Sequence, residues 1–204
     1  MNLVHLNGSV MCAVDCETTG TDPLKHDIIE ISIVPLDSNF KPIQNIMPFS
    51  MLLQPGRPQN IKQAATRVHG HTLTELMRDG VEPMKAADLF DEWFERLHLP
   101  FGKRIMPLAH NWPFDRSFIK AWLGEEHFHQ YFSALYRDTM VAAQYFNDRA
   151  AFHAEQVPFN KVNLTYLACQ LEIPHEHAHS ALHDCLVCAQ VYHKLMFHGP
   201  SLLT

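Results

Sequence analysis

The stretch Val14-Asp15-Cys16-Glu17-Thr18-Thr19-Gly20 constrains this chain more than any other. The run Ser9-Val10-Met11-Cys12-Ala13-Val14 before it is short and mostly apolar, and predicts a buried strand that ends where Asp15 and Glu17 begin. Strand alternation then sets Asp15 and Glu17 on one side and Cys16 on the other. Two like charges ~4 Å apart repel by roughly 4 kcal/mol at an effective dielectric of about 20, so the pair asks for a cation or a proton. The same residues also fit a plainer reading, in which Asp15 leaves the strand and caps a turn made by Thr18, Thr19 and Gly20. The rest of the chain decides between the two.

At 204 residues and 47% hydrophobic content, the chain is long enough to bury a full core as one domain, 1–204, and no break in composition divides it. The amino-terminal residues lack a basic start and a long apolar run, and no later segment approaches the roughly 20 apolar residues of a spanning helix. A soluble, cytoplasmic protein with no membrane partner is expected. Five cysteines without regular spacing fit reduced thiols better than a disulfide framework. Cys185-Leu186-Val187-Cys188 matches a redox or zinc spacing, but its apolar neighbours favour a helix packed in the core. A net charge of −6 excludes a protein that coats long duplexes through a basic face, so any nucleic-acid contact is local. Fifteen histidines make affinity for polyanions pH-dependent.

After the Thr-Thr-Gly turn, residues 27–36 and 48–55 are strand-like and complete a three-strand meander with the first. A short helix follows over 61–68, stopped by His69-Gly70. Apolar residues at 86, 89, 90, 93, 94 and 97 have the spacing of an amphipathic helix over 84–97. Residues 104–111 predict a strand leading into a helix from about Phe114 to Leu123. Further helices are expected over 139–153, 164–171 and 180–196. Strands first, then helix, strand and helices, give the α/β class: a mixed sheet flanked by helices.

Two more acidic stretches lie at predicted element junctions. In His110-Asn111-Trp112-Pro113-Phe114-Asp115, Asp115 falls in the first turn of a helix after a strand, where it helps the helix start and also reaches across the strand ends, the place where sites of open α/β sheets collect. In the histidine-rich run 175–185, His179 stands just before a helix and Asp184 in its first turns, so both reach one site. A zinc reading takes His179 and His183 with His175 or His177. The neighbouring oxygen donors suit magnesium or manganese better, and His175, His177 and His183 then become solvated surface residues.

Together these three stretches resemble the DEDDh branch of the 3′→5′ exonucleases, a ribonuclease-H-like family of proofreading and trimming enzymes. The motifs are Asp15-Cys16-Glu17-Thr18-Thr19-Gly20, His110-Asn111-Trp112-Pro113-Phe114-Asp115 and His179-Ser180-Ala181-Leu182-His183-Asp184. Val68-His69-Gly70-His71-Thr72, Arg137-Asp138-Thr139 and 163–168 add to the likeness, which covers about 10–195. Trp112-Pro113 departs from the smaller residues of many relatives and alters the shape of the neighbouring cleft.

The resemblance implies a ribonuclease-H-like mixed sheet and a catalytic set of Asp15, Glu17, Asp115, His179 and Asp184. By it, the four carboxylates hold two ions, Mg2+ or Mn2+, one activating the attacking water and one stabilising the leaving oxygen. Asp15 would bridge the ions, and Asp115 would act through water. His179 would be the general base, since an imidazole with pKa ~6.5 exchanges protons near neutral pH. Nucleoside 5′-monophosphates would leave a single-stranded or frayed 3′ end of DNA or RNA. Thr18 and His69 would contact the terminal nucleotide, and Asn111 would hydrogen-bond to the strand. Trp112 fits base stacking and core packing equally. The chain would act either as a stand-alone enzyme or as a small subunit whose polymerase or other protein partner supplies the basic surface that it lacks. The competing functions are a silent nucleic-acid end-binding or polymerase-associated protein, and a zinc hydrolase using the 175–183 histidines.

Overall fold

The computed structural model describes residues 6–176 and 180–197. Strands β1 (Val10–Thr18), β2 (Ile28–Leu36) and β3 (Phe49–Leu52) form the expected antiparallel meander. On its other edge β1 pairs in parallel with β4 (Ile105–Ala109), which pairs in parallel with β5 (Arg137–Asp138). The order β3-β2-β1-β4-β5 therefore makes β1 the central strand of a mixed sheet. Helices α1 (Gln63–His69), α2 (Leu73–Asp79) and α3 (Pro83–Glu95) carry the chain from β3 to β4. Helices α4 (Trp112–Leu123) and α5 (Glu125–Tyr131) lie between β4 and β5, and α6 (Thr139–Phe152), α7 (Leu164–Gln170) and α8 (Ala181–Phe197) follow.

The two faces of the sheet are built by the period-two pattern of β1. Cys12, Val14 and Cys16 point into an aromatic core with Phe90 and Trp93 of α3 and Phe118 and Ile119 of α4. Met11 and Ala13 point the other way, beneath Cys185, Cys188 and Ala189 of α8. Every residue of β2 is buried, because helices cover both faces. Small side chains on α8 let it lie close on the sheet. Cys185 and Cys188 are free, buried thiols: Cys185 Sγ donates to the Ser32 carbonyl at 3.3 Å, and Cys188 Sγ lies 3.7 Å from Thr139 Oγ1.

Several boundaries differ from the sequence expectation for identifiable reasons. β1 continues through Asp15 and Glu17 to Thr18, because the antiparallel partner β2 runs alongside as far as Ile28. This excludes the plainer reading in which Asp15 leaves the strand. Helix α4 begins at Trp112 rather than Phe114, since a proline is tolerated in the first turn, where its missing N–H has no intrahelical partner. Helix α2 is an additional element, and a capping box announces it: Thr72 Oγ1 accepts from the Glu75 amide while Glu75 Oε2 accepts from the Thr72 amide. Helix α5, also additional, follows Gly124, whose φ of +83° allows the abrupt turn between two helices.

Candidate active site

The odd face of β1 leads from its apolar half straight into the acidic one. Past Met11 and Ala13, the same face presents Asp15 and Glu17. Pairing with β4 ends at Ala13 opposite Leu108, so both carboxylates stand where β1 outruns its parallel neighbour. Asp184 lies in the first turn of α8, the helix that packs on this face. Ligand oxygens of Asp15, Glu17 and Asp184 lie within 4.8 Å of one another, and no other such three-residue group occurs among the described residues. Glu17 and Asp184 are buried, while Asp15 is partly open to solvent.

Asp115 joins from the other side of the strand end. Its Oδ1 accepts from the Cys16 amide at 3.1 Å, which fixes the start of α4 to the middle of the acidic motif. It stands outside the group of three. What holds α4 there is Asp138: Oδ2 accepts from the Trp112 amide at 2.8 Å, and Oδ1 accepts from the Asn111, Met140 and Val141 amides. One carboxylate thus caps α4 and α6 together, replacing the absent side-chain cap of Asn111. Asn111 itself takes a left-handed conformation, φ +69°, at the turn out of β4. Asparagine adopts this region more readily than most non-glycine residues.

The electrostatics follow from burial and like charge. Burial pushes Asp15 well above the ordinary carboxylate range, and Asp115, Asp184, Glu17 and Glu30 push it further. Glu17 is pushed up to about 8 by burial, with Asp184 and Glu30 adding to the rise. Asp115 is also raised by burial, against the opposing effect of its accepted amide hydrogen bonds. Without a positive charge Glu17 holds its proton near neutral pH. The donor set is all carboxylate oxygen, concentrated and self-repelling, which fits a hard divalent cation. A histidine-based zinc set does not form among the described residues, and His177 and His179 lie outside them.

Sequence reading missed Glu30 and misplaced His175. Glu30 lies opposite Glu17 in the β1–β2 pair; its Oε1 accepts from the Ala181 amide and its Oε2 lies 3.2 Å from His71 Nε2. His175, expected in solvent, is instead a buried side chain with Nε2 2.5 Å from Asp184 Oδ1, and its ring stacks on His183 at 5.4 Å. A carboxylate on the helix it faces removes the reason for it to stay in water. His183, also expected in solvent, is half-buried through this stack.

Of the expected substrate contacts, Thr18 ends β1 at a register shift after Glu17, with its hydroxyl donating to the Gly20 carbonyl at 2.7 Å. His69, the last residue of α1, is buried, and burial with His71 nearby lowers it to about 4, so its ring is neutral. Nδ1 accepts from the His71 amide at 3.0 Å, which assigns the proton to Nε2, a buried nitrogen without a hydrogen-bond partner among the described residues. Trp112 is corrected: at 1% exposure its indole is a core side chain, packed on Phe128 of α5 and on Phe132, and is not available to stack on a base.

The family profile described as Exonuclease, of the RNase T type, matches residues 12–192. A DNA polymerase III subunit epsilon-like protein of Rhodobacter capsulatus is 29% identical over 186 residues, 89% of this chain and 23% of that protein. Ribonuclease T of Wigglesworthia glossinidia brevipalpis is 26% identical over 200 residues, 92% of this chain and 85% of that protein. Exonuclease I of E. coli, solved in complex with a dT13 oligonucleotide, superposes with a TM-score of 0.69 at 20% identity, over 95% of this chain and 42% of that one. The chain therefore spans less than a quarter of the Rhodobacter relative and about two-fifths of Exonuclease I.

Proposed function

Because the chain belongs to the exonuclease family, we propose that it is a metal-dependent 3′→5′ exonuclease, releasing nucleoside 5′-monophosphates from single-stranded or frayed 3′ ends of DNA or RNA. The observation that carries the proposal is the meeting of Asp15, Glu17 and Asp184, from a strand and a helix remote in sequence, with their oxygens within 4.8 Å. A catalytically silent end-binder would have no physical use for such a mutually repelling set. Bound there, two divalent ions, Mg2+ or Mn2+, would supply water activation and charge neutralisation at the leaving oxygen.

The protein's own side chains divide the remaining work. Asp15, Glu17 and Asp184 supply the negative charge that selects the cations. Asp115, pinned through the Cys16 amide, completes the set from α4 and acts through water. His179 is assigned the general base from its place in the sequence, five positions before Asp184, as an imidazole that takes a proton from the attacking water. The His69 Nε2 proton, without a hydrogen-bond partner among the described residues, offers a hydrogen bond to an oxygen of the terminal nucleotide. Thr18 lies at the strand end beside Glu17 and contacts the terminal sugar; Asn111, turned at the start of α4, contacts the strand backbone.

Exonuclease I binds a single-stranded oligonucleotide, and this supports a single-stranded end as substrate here. The relative named epsilon-like supports a polymerase as the protein partner. Among the described residues no helix is long and apolar enough to cross a membrane. The test is a panel of DNA and RNA oligonucleotides labelled at the 5′ end, with Mg2+, Mn2+ or a chelator. A ladder shortening from the 3′ end only with metal, and 5′-monophosphates by mass spectrometry, are expected. Internal cleavage, loss from the 5′ end, or equal activity in chelator would reject the proposal.

A further inference from the structure

Glu30 is a buried carboxylate on β2 to which the proposed reaction gives no task. It stands directly across from Glu17, where like charges on opposed strands destabilise the pair, so its presence demands a compensating set of contacts. Two such contacts exist, and they reach different parts of the chain. Oε1 accepts from the amide of Ala181, the first residue of α8, at 3.2 Å. That amide is one of the donors a helix start leaves without an intrahelical partner, and the positive end of the helix dipole favours a carboxylate there. Oε2 lies 3.2 Å from Nε2 of His71. His71 in turn stacks on His69, ring centroids 5.6 Å apart, and its amide donates to His69 Nδ1. A continuous chain of contacts therefore runs from the N-terminal turn of α8, which carries Asp184, through Glu30 on β2, to the buried His69 imidazole.

We propose that Glu30 is a positioning residue that ties the His69–His71 loop and the N-terminal turn of α8 to one point of β2, setting the substrate-facing imidazole and Asp184 in fixed relation. The idea deepens the exonuclease reading and rests on it for its kinetic consequences. Its structural part stands apart from activity. His175 Nε2, 2.5 Å from Asp184 Oδ1, braces the α8 side separately, while on the loop side Gly70, with φ +75° and no atom near its Cβ position, adds no side-chain packing.

Three variants test the tie: Glu30→Ala, Glu30→Gln and His71→Ala, with the Glu30→Ala/His71→Ala double variant. Hydrogen–deuterium exchange of the metal-free protein is the readout independent of turnover. In Glu30→Ala, exchange over 69–72 and at the start of α8 is expected to rise about ten- to a hundredfold, the effect of losing a hydrogen bond to a charged group, with β1 and β2 unchanged. Glu30→Gln keeps an acceptor for the Ala181 amide and gains a donor for His71 Nε2, and is expected to restore protection. Kinetically, Glu30→Ala should raise KM for an oligonucleotide and lower kcat together, Glu30→Gln should stay within about threefold of wild type, and the double variant should lose no more than Glu30→Ala alone. If wild type shows no exonuclease activity while exchange responds as expected, the function fails and the tie stands. If wild type is active and Glu30→Ala matches it in exchange, or Glu30→Gln is as impaired as Glu30→Ala, the tie is wrong. Should Glu30→Ala not fold, His71→Ala exposing 69–72 to exchange supports the proposal, and an unchanged His71→Ala refutes it.

Discussion

Glu17→Gln is expected to destroy activity and yet stabilise the metal-free protein, with a pH dependence that identifies the cause. The Glu17 carboxyl moves from an ordinary value of 4.5 to about 8 on folding, because burial and the neighbouring Asp184 and Glu30 disfavour its charge. Its folded value lies above its unfolded one, so stability is full below pH 4.5 and falls as pH rises toward 8. Each pH unit in that window costs ~1.4 kcal/mol, so at pH 7 the side chain withholds about 3 kcal/mol from folding, and at pH 5 less than about 1 kcal/mol. Glutamine has nearly the same shape and no charge to bury. In chelator, thermal unfolding of Glu17→Gln should therefore lie roughly 6–12 °C above wild type at pH 7, with the gap nearly closed at pH 5. Adding Mg2+ at pH 7 should raise the wild-type midpoint and move the variant much less. A variant no more stable than wild type at pH 7, or a gap of equal size at both pH values, would refute this account of the site's electrostatics.

Asp184→Asn should lower exonuclease turnover by roughly a thousandfold or more, the scale of losing a metal ligand, with an unchanged far-ultraviolet circular dichroism spectrum; wild-type turnover would remove Asp184 from the site. His179→Ala should lower turnover by about 10²- to 10⁴-fold with little change in Mn2+ affinity by calorimetry, and a loss of metal binding instead would make it a ligand. Trp112→Ala should cost about 3–5 kcal/mol in urea unfolding, as expected for an aromatic packed on Phe128 and Phe132. An unchanged urea midpoint with weakened oligonucleotide binding would restore the stacking role.

Legibility in the sequence depended on whether the deciding contact was local or lay across the fold. The period of two along β1 is local, so the shared side of Asp15 and Glu17 was readable, and so was Asp184 in an early turn of a helix. Glu30 was not: within Ile28-Ile29-Glu30-Ile31 it reads as one polar residue in a strand, and only the cross-strand register puts it opposite Glu17. His175 misled for a similar reason, since a histidine in a polar loop looks solvated until α8 brings Asp184 to it. Trp112 fits two roles in the sequence because the helix that supplies Phe128 has no legible signature there. A seven-residue helix begun directly after another helix has too few apolar positions to show a period. Asp138 stands in a motif of the sequence, but its capping of two helices at once is visible only where β5 meets the starts of α4 and α6.

Anomalous diffraction from crystals of the wild-type protein grown with Mn2+ addresses the central point most directly, that oxygens from β1 and α8 grip divalent ions together. Manganese peaks ligated by Asp15, Glu17 and Asp184, absent from Asp184→Asn crystals, are the predicted result. Manganese bound elsewhere, with Asp15 and Asp184 turned apart into solvent, would contradict it.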